Sequence, residues 1–416
     1  MHDNHTIHTA TYTGIGIGGP QHRPFLRSGG APSSLSEGDS TTINQHVPPS
    51  NECRFFCLLL HHTSHKAMRF SPNPSSRYSL LLFRFLLFLP ASVQLALAAS
   101  RTSPPTGAVV VRAGTTTSGE FATITEALNS FPDSTSSRSL FIYPGTYTEQ
   151  VDITRTGPLT IYGYTTDTTT YTSNSATITF NSPASTAGSD DASGTLRIHK
   201  DNFSMYNVNV KNTFGPGVQA IALSQYGSQV GFYGCGFYGY QDTLYANEGT
   251  QVYLKGYIEG GIDFIFGREG SAYFGGNTIG VLAEGGSITA SGRETDDSGS
   301  YVFHQNTVVL GTGAPSTVAG TYYFGRPWSD FAKVIFESTT LDVAPNPALW
   351  SLWDGEADSI DNVLNADYNT TGPGASNLER ASWATELTSA SEAAEYSISS
   401  AVGSDWEDWV DVSYFV

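Results

Sequence analysis

From residue 196 onward, apolar positions recur at intervals too long for a helix turn and too regular for a loop. Val210, Phe237, Ile258, Ile279 and Val308 are separated by 27, 21, 21 and 29 residues. Short β-branched and aromatic segments accompany them: Ser204 to Val210, Gln251 to Leu254, Tyr301 to Phe303 and Lys333 to Phe336. A period of about twenty to thirty residues without helical patterning predicts a β-solenoid, whose coils are too small to bury a core alone and must stack. Upstream, Val109 to Val111 reads as a first strand, and the apolar spacing from Thr123 to Phe131 predicts a short amphipathic helix over one end of the solenoid. Strands over Leu140 to Tyr143, Thr148 to Val151 and Leu159 to Gly163 follow, parted by Pro-Gly and Gly-Pro turns. Residues 165–194, rich in Ser, Thr, Gly and Asp, read as a long polar loop. Asn207, Asn277 and Asn306 recur near corresponding places and suit a side-chain ladder between coils. Beyond the last strand, Asn365 to Ala375 reads as a loop, while Leu387, Ala390, Ala393 and Ala394 fall at helical spacing. The fold class is therefore all-β: a single-stranded parallel β-helix with a short N-terminal capping helix and a C-terminal tail packed on it. In that tail Trp406 and Trp409 are expected to be packing residues.

The first hundred residues break this pattern. Residues 1–67 hold eight of the ten histidines and two of the three cysteines without a sustained period, and read as an irregular, disordered extension or an upstream artefact of the gene model. Cys53, Cys57, His61, His62 and His65 fit no zinc spacing. From the internal Met68, basic Arg69, Arg77 and Arg84 accompany the apolar run Leu80 to Leu89, and Ala96-Leu97-Ala98 resembles a cleavage site. Residues 68–99 are thus predicted to be a secretory signal peptide, and residues 100–416 a single secreted, extracellular catalytic domain. Arg84 and Pro90 make the run a poor permanent span, so no membrane is expected for the mature form. Asn202-Phe203-Ser204 and Asn369-Thr370-Thr371 are glycosylation acceptors on that route. The mature chain keeps one cysteine, Cys235, which reads as a core thiol. With 20 basic against 38 acidic residues, the net charge of -18 argues against nucleic acid or an anionic surface as partner.

The chemistry concentrates between Gly234 and Gly267, where two near-copies of one pattern each carry an aspartate. Asp242 lies five residues after Phe237, Asp263 lies five after Ile258, and the two acids are 21 residues apart. Equivalent places in stacked coils face the same way, about 4.8 Å apart. Two carboxylates so close cannot both ionise freely, so one is expected to keep its proton well above the usual range, giving a proton donor and a nucleophile from one residue type. A spacing near 5 Å would also serve retaining glycoside hydrolysis, and an inactive carbohydrate-binding solenoid is a further alternative. No Gly-x-Ser-x-Gly elbow supports a serine hydrolase.

These residues belong to a wider ordered set: Gly145-Thr146-Tyr147-Thr148-Glu149, Gln219 to Leu223, Gln241 to Tyr245, Asp263 to Gly267, Gly325-Arg326-Pro327-Trp328 and Tyr368 to Ala375. In this the chain resembles the pectin methylesterases, in their microbial single-domain form. The resemblance implies a right-handed β-helix with a groove on its flank, no metal or other cofactor, and methyl-esterified pectin as partner; a monomer is expected. It further implies Asp263 as nucleophile, Asp242 as acid and then base, Gln219 and Gln241 as oxyanion donors, and Arg326 as the group that holds Asp263 ionised. Trp328, Tyr245 and Phe264 are carried as substrate contacts together with Gln219 and Arg326. For Tyr245, Phe264 and Phe266 the sequence leaves open whether the rings line the groove or fill the core. Gly261-Ile262 and Arg268 depart from the family's commoner Thr-Val and small polar residue. The acidic surface predicts scattered attack on highly esterified pectin, because demethylated product is a polyanion.

Overall fold

Parallel pairing, coil on coil, accounts for nearly all the regular structure in the computed structural model, which describes residues 99–353 and 360–416. The Met68 leader and the Cys53–His65 group lie outside the described residues. Three sheets of 12, 8 and 7 strands form the faces of a right-handed parallel β-helix. The apolar series predicted from the period is one register line of the eight-stranded sheet: Val210 pairs with Phe237, Phe237 with Ile258, Ile258 with Ile279, and Ile279 with Val308. The seven-stranded sheet carries the site. Its strands, in order, are Val151–Ile153, Leu196–Ile198, Leu223–Gln225, Leu244–Ala246, Ile265–Gly267, Ser287–Ser291 and Tyr323–Gly325.

Inside the coil, equal register stacks like on like. Phe232, Tyr253, Phe274, Phe303 and Phe336 are successive partners in the twelve-stranded sheet. Their rings lie 5.0, 4.7, 4.3 and 4.2 Å apart and nearly parallel. Truncating one such ring typically costs about 3–5 kcal/mol, so this ladder is a principal source of rigidity. It ends at Asp367, the register partner of Phe336, which is fully buried. Arg380 donates to both its oxygens at 2.7 and 2.8 Å and Thr370 adds a third bond at 2.7 Å, which offsets the desolvation of a buried carboxylate.

Both ends follow the sequence reading. Helix Ile124–Asn129 begins at a capping box between Thr123 and Glu126 and buries Ile124 and Ala127 in the core. At the other end, helices Ala390–Ala393 and Ile398–Val402 and the segment to Tyr414 cover the outward face of the long sheet over Val252, Leu254, Tyr273 and Val302, with Trp406 and Trp409 packed alongside. Cys235 is a buried core thiol whose pKa burial pushes up to about 12.

Several local expectations change. The supposed polar loop 165–194 contains the strand Ala176–Phe180 and helices Ala184–Ala187 and Asp190–Ser193. Thr148 to Val151 is a corner between the strands Gly145–Thr148 and Val151–Ile153, which belong to different sheets. Ser204 to Val210 is likewise divided, at Asn207, whose φ of 53° turns the chain from strand Phe203–Tyr206 into Val208–Asn212. Asn365 to Tyr368 is the continuation of a strand, not a loop. The asparagine ladder holds for two members: Asn306 Oδ1 accepts from the backbone N–H of Asn277 at 2.8 Å and from its amide at 3.1 Å. The positions equivalent to Asn277 in earlier coils are Gly256 and Cys235, so Asn207 stands one residue out of register. Its side chain bonds Arg101 and the Thr170 carbonyl instead.

Candidate active site

Each acid of the pair sits on a corner that leads into a strand of the seven-stranded sheet. Gln241 bridges Ile262 in parallel and Asp242 N–H donates to the Ile262 carbonyl at 3.0 Å, so Asp242 and Asp263 occupy matching places one coil apart. Both adopt left-handed backbone, with φ of 63° and 49°, a conformation that short polar side chains tolerate better than branched ones. Three residues before each acid stands a glycine, Gly239 and Gly260, where the corner folds over the residue after the acid. A Cβ would lie 2.7 Å from Thr243 Oγ1 at the first and 2.2 Å from Phe264 Cβ at the second. Gly261, one of the departures, has no more room: a side chain there would meet Ala283 at 2.9 Å and the Tyr240 ring at 3.0 Å.

Asp242 and Asp263 are both buried, and their surroundings differ. Arg326 donates to both oxygens of Asp263, Nε at 2.9 Å and Nη2 at 2.7 Å, a planar two-bond ion pair that fixes the carboxylate's orientation. The guanidinium lies 4.2 Å from the centre of the Trp353 ring. Asp242 has a pKa well above the ordinary aspartate value, first because it is buried, then because of the negative charges of Asp263 and Asp190; Arg326 acts the other way. One acid is thus locked as an ion pair and its neighbour favours the protonated form.

A cleft of about 250 Å³ opens over the pair, lined by Asp190, Gln219, Gln241, Asp242, Asp263, Phe266, Ala290, Arg326, Trp328 and Trp353. It unites Asp263, Asp242, both glutamines, Arg326 and Trp328. Gln219 comes from the neighbouring coil, where Ala220 N–H donates to the Gln241 carbonyl at 3.1 Å. Two aromatic assignments change. Phe264 lies in the interior core at 1% exposure, because the residue after an inward-folding corner faces the coil's centre. Tyr245 does not line the cleft; it is stacked 4.4 Å from Phe266 and meets Tyr226 edge-on. Phe266 is the ring that reaches the cleft.

Asp190 and Trp353 were missed. Trp353 shows its place only in the structure, where Gly325 bridges Trp350 in parallel and the two indoles each follow three residues later, with the Trp328 and Trp353 rings 6.1 Å apart. Asp190 had no legible signal either, lying in a stretch read as loop. Arg268, the other departure, is stacked 4.0 Å over Trp328 and paired with Glu294, so it shapes the cleft's rim. Among the described residues, no group of three or more His, Cys, Asp or Glu side chains is placed to hold a metal ion.

A family model described as Pectinesterase matches residues 108–405. The chain belongs to the pectinesterase family. A pectinesterase from Aspergillus niger is 44% identical over 326 residues, covering 77% of this chain and 95% of that relative, and one from Aspergillus aculeatus is 42% identical over 328 residues, covering 77% and 96%. The crystal structure of the Aspergillus niger pectin methylesterase superposes with a TM-score of 0.69 at 40% identity, over 76% of this chain and 100% of that one. The carrot pectin methylesterase gives 0.65 at 26% identity, over 76% and 98%. This pectinesterase is accordingly a carboxylic ester hydrolase that demethylates pectin.

Proposed function

We propose that demethylation runs through an acyl-enzyme on Asp263. An Asp263 oxygen attacks the methyl-ester carbonyl, and the tetrahedral oxyanion is met by amide N–H groups of Gln219 and Gln241, a type of contact worth about 3 kcal/mol per donor. The bond to the methoxy oxygen breaks as the Asp242 carboxyl gives its proton to it, releasing methanol. Asp242, now a carboxylate, takes a proton from water as that water attacks the acyl carbonyl; the galacturonate acid leaves and both side chains return to their starting states. Trp328, Trp353 and Phe266 offer flat apolar faces to the sugar rings, while Tyr245 supports Phe266 from below.

The observation that carries this reading is the unequal treatment of two matching acids: Arg326 grips one by two hydrogen bonds, and burial with neighbouring charge keeps the proton on the other. An oxocarbenium ion would gain little from two amide donors and an arginine already engaged with the nucleophile. The test is methanol release from methylated pectin by the wild type and by Asp263→Asn. Methanol without loss of viscosity is expected from the first and none from the second; turnover by Asp263→Asn comparable to wild type would overturn the mechanism.

The setting proposed for this chemistry is extracellular, with the enzyme as a monomer released after the Met68 leader. Among the described residues, no helix is long and apolar enough to cross a membrane. Asn202 and Asn369 are both exposed, Asn202 at a bend just before its strand and not within it, which supports both as glycan acceptors.

A further inference from the structure

Asp190 and Asp191 are adjacent acids with opposite fates. Asp191 is fully engaged: Arg197 donates to it at 2.6 Å, Ser224 at 2.7 Å, and His199 Nε2 lies 3.0 Å away. Its helix is tied down further, since the Gln150 amide donates to the carbonyls of Ala192 and Gly194 at 2.7 and 2.9 Å and Asn212 donates to that of Ser193 at 3.2 Å. Asp190, held by the same rigid turn, has no hydrogen-bond or ion-pair partner for its carboxylate among the described residues, and it lines the cleft. Its charge adds to that of Asp263 in keeping the proton on Asp242, but no hydrogen bond of the helix or of the acid pair engages its carboxylate.

Its place along the sheet gives it a sense. Asp190 precedes strand Leu196–Ile198, Gln219 precedes Leu223–Gln225, Asp242 precedes Leu244–Ala246, Asp263 precedes Ile265–Gly267, and Arg326 follows Tyr323–Gly325. The strands stand in that order in the sheet, with Ser287–Ser291 between the last two, so the cleft is electrically graded: a lone carboxylate at one end, the acid pair in the middle, and the engaged arginine with two indoles at the other. A polymer of uronate units with one ester on Asp263 must present a neighbouring unit towards Asp190. If that unit is a methyl ester it is neutral; if it is a free acid, it brings a second negative charge into a partly dehydrated cleft.

We propose that Asp190 is a specificity-determining residue that rejects free galacturonate next to the reacting ester, so that the enzyme prefers stretches in which the neighbouring unit is still esterified and releases demethylated product early. The proposal rests on the esterase reading of the same cleft. Burial raises the proton affinity of Asp190 and the Arg268 charge lowers it, so the comparison is made at pH 7. Like-charge repulsion across a partly solvated cleft corresponds to a selectivity of roughly three- to tenfold, weakening as salt is added.

The experiment compares the wild-type chain with Asp190→Asn and Asp190→Glu. Binding of a fully de-esterified oligogalacturonate is measured by calorimetry, and kcat/KM for methanol release is measured on pectins of high and low esterification. Asp190→Asn should bind the free-acid oligomer roughly three- to tenfold more tightly and narrow the preference for highly esterified pectin by a similar factor, through KM. Asp190→Glu should restore both, and high salt should bring wild type towards the Asn variant. Unchanged oligomer affinity in Asp190→Asn, or an equal loss of kcat on every pectin with KM untouched, would overturn the proposal and make Asp190 a positioning residue for Asp242. The binding arm needs no turnover, so absence of methanol release from wild type would count against the esterase mechanism while the role of Asp190 was still decided.

Discussion

Replacing Arg326 probes the whole site, because that side chain touches Asp263 through two charged hydrogen bonds and Trp353 through its flat face. Breaking a fully buried ion pair costs about 3–5 kcal/mol. Here Asp263 is 9% exposed but Arg326 is 27% exposed, so solvent screens part of the interaction and a loss of about 2–3 kcal/mol is expected for Arg326→Ala. That corresponds to a fall in Tm of about 3–5 °C for a domain of this size. Activity should suffer more than stability, since the nucleophile loses its orientation and Asp242 its nearest positive charge; a hundredfold fall in kcat is on the order expected for losing a preorganised electrostatic contact. Arg326→Lys should lie between, keeping a cation but not the two-bond fork. The pH profile gives a second reading. Arg326 opposes the upward shift of Asp242, so without it Asp242 holds its proton to higher pH. Because Asp242 must be protonated to expel methanol, the alkaline limb of kcat should move upward in Arg326→Ala. Methanol release followed against pH, with thermal melts of the same samples, checks both effects. An Ala variant with kcat within about threefold of wild type and an unmoved alkaline limb would refute the argument.

Asp242→Asn should abolish methanol release yet raise stability at pH 7. An unfolded aspartate titrates near about 3.9, and the folded Asp242 carboxyl well above that. Between those values the folded state binds more protons than the unfolded, so stability falls as pH rises through the window, and asparagine removes that loss. The melting temperatures of variant and wild type should converge near pH 3; a variant less stable than wild type at pH 7 would contradict the sign. Gly260→Ala should fold poorly, because its methyl would lie 2.2 Å from Phe264 Cβ and only movement of the corner can relieve it. A loss of about 3 kcal/mol or more in a denaturant melt is expected, and wild-type stability would show that the corner yields.

The architecture and most of the site could be read before any coordinates because both depend on repetition. Stacked coils make equal residues meet, so the spacing of Val210, Phe237, Ile258, Ile279 and Val308 was already a register, and the spacing of the two acids was already a contact. What the sequence concealed lies where repetition stops. Asp190 comes from a short helix that has no counterpart at the same place in other coils among the described residues, and its polar surroundings look like any loop. Phe264 and Phe266 are two residues apart and would share a face in one continuous strand, but the strand starts only at Ile265: Phe264 at the corner and Ile265 both enter the interior core and Phe266 faces out, a break that periodicity alone does not show. Asn207 failed as a ladder member for the same reason, one residue of offset at a corner.

The uneven coil lengths carry a lesson for engineering. In the series from Val210 to Val308 the two shortest steps, of 21 residues each, begin at Phe237 and Ile258, and the first of them sets the distance between the two acids; the longer steps of 27 and 29 lie on either side. Surplus chain has therefore accumulated in the flanking turns, where it can reshape the walls that a polymer slides past, while the central rungs act as a fixed gauge. Grafting or lengthening loops in the flanking turns should alter which polymers are accepted, whereas one residue added between the acids would put them out of step and leave a folded shell with no working centre.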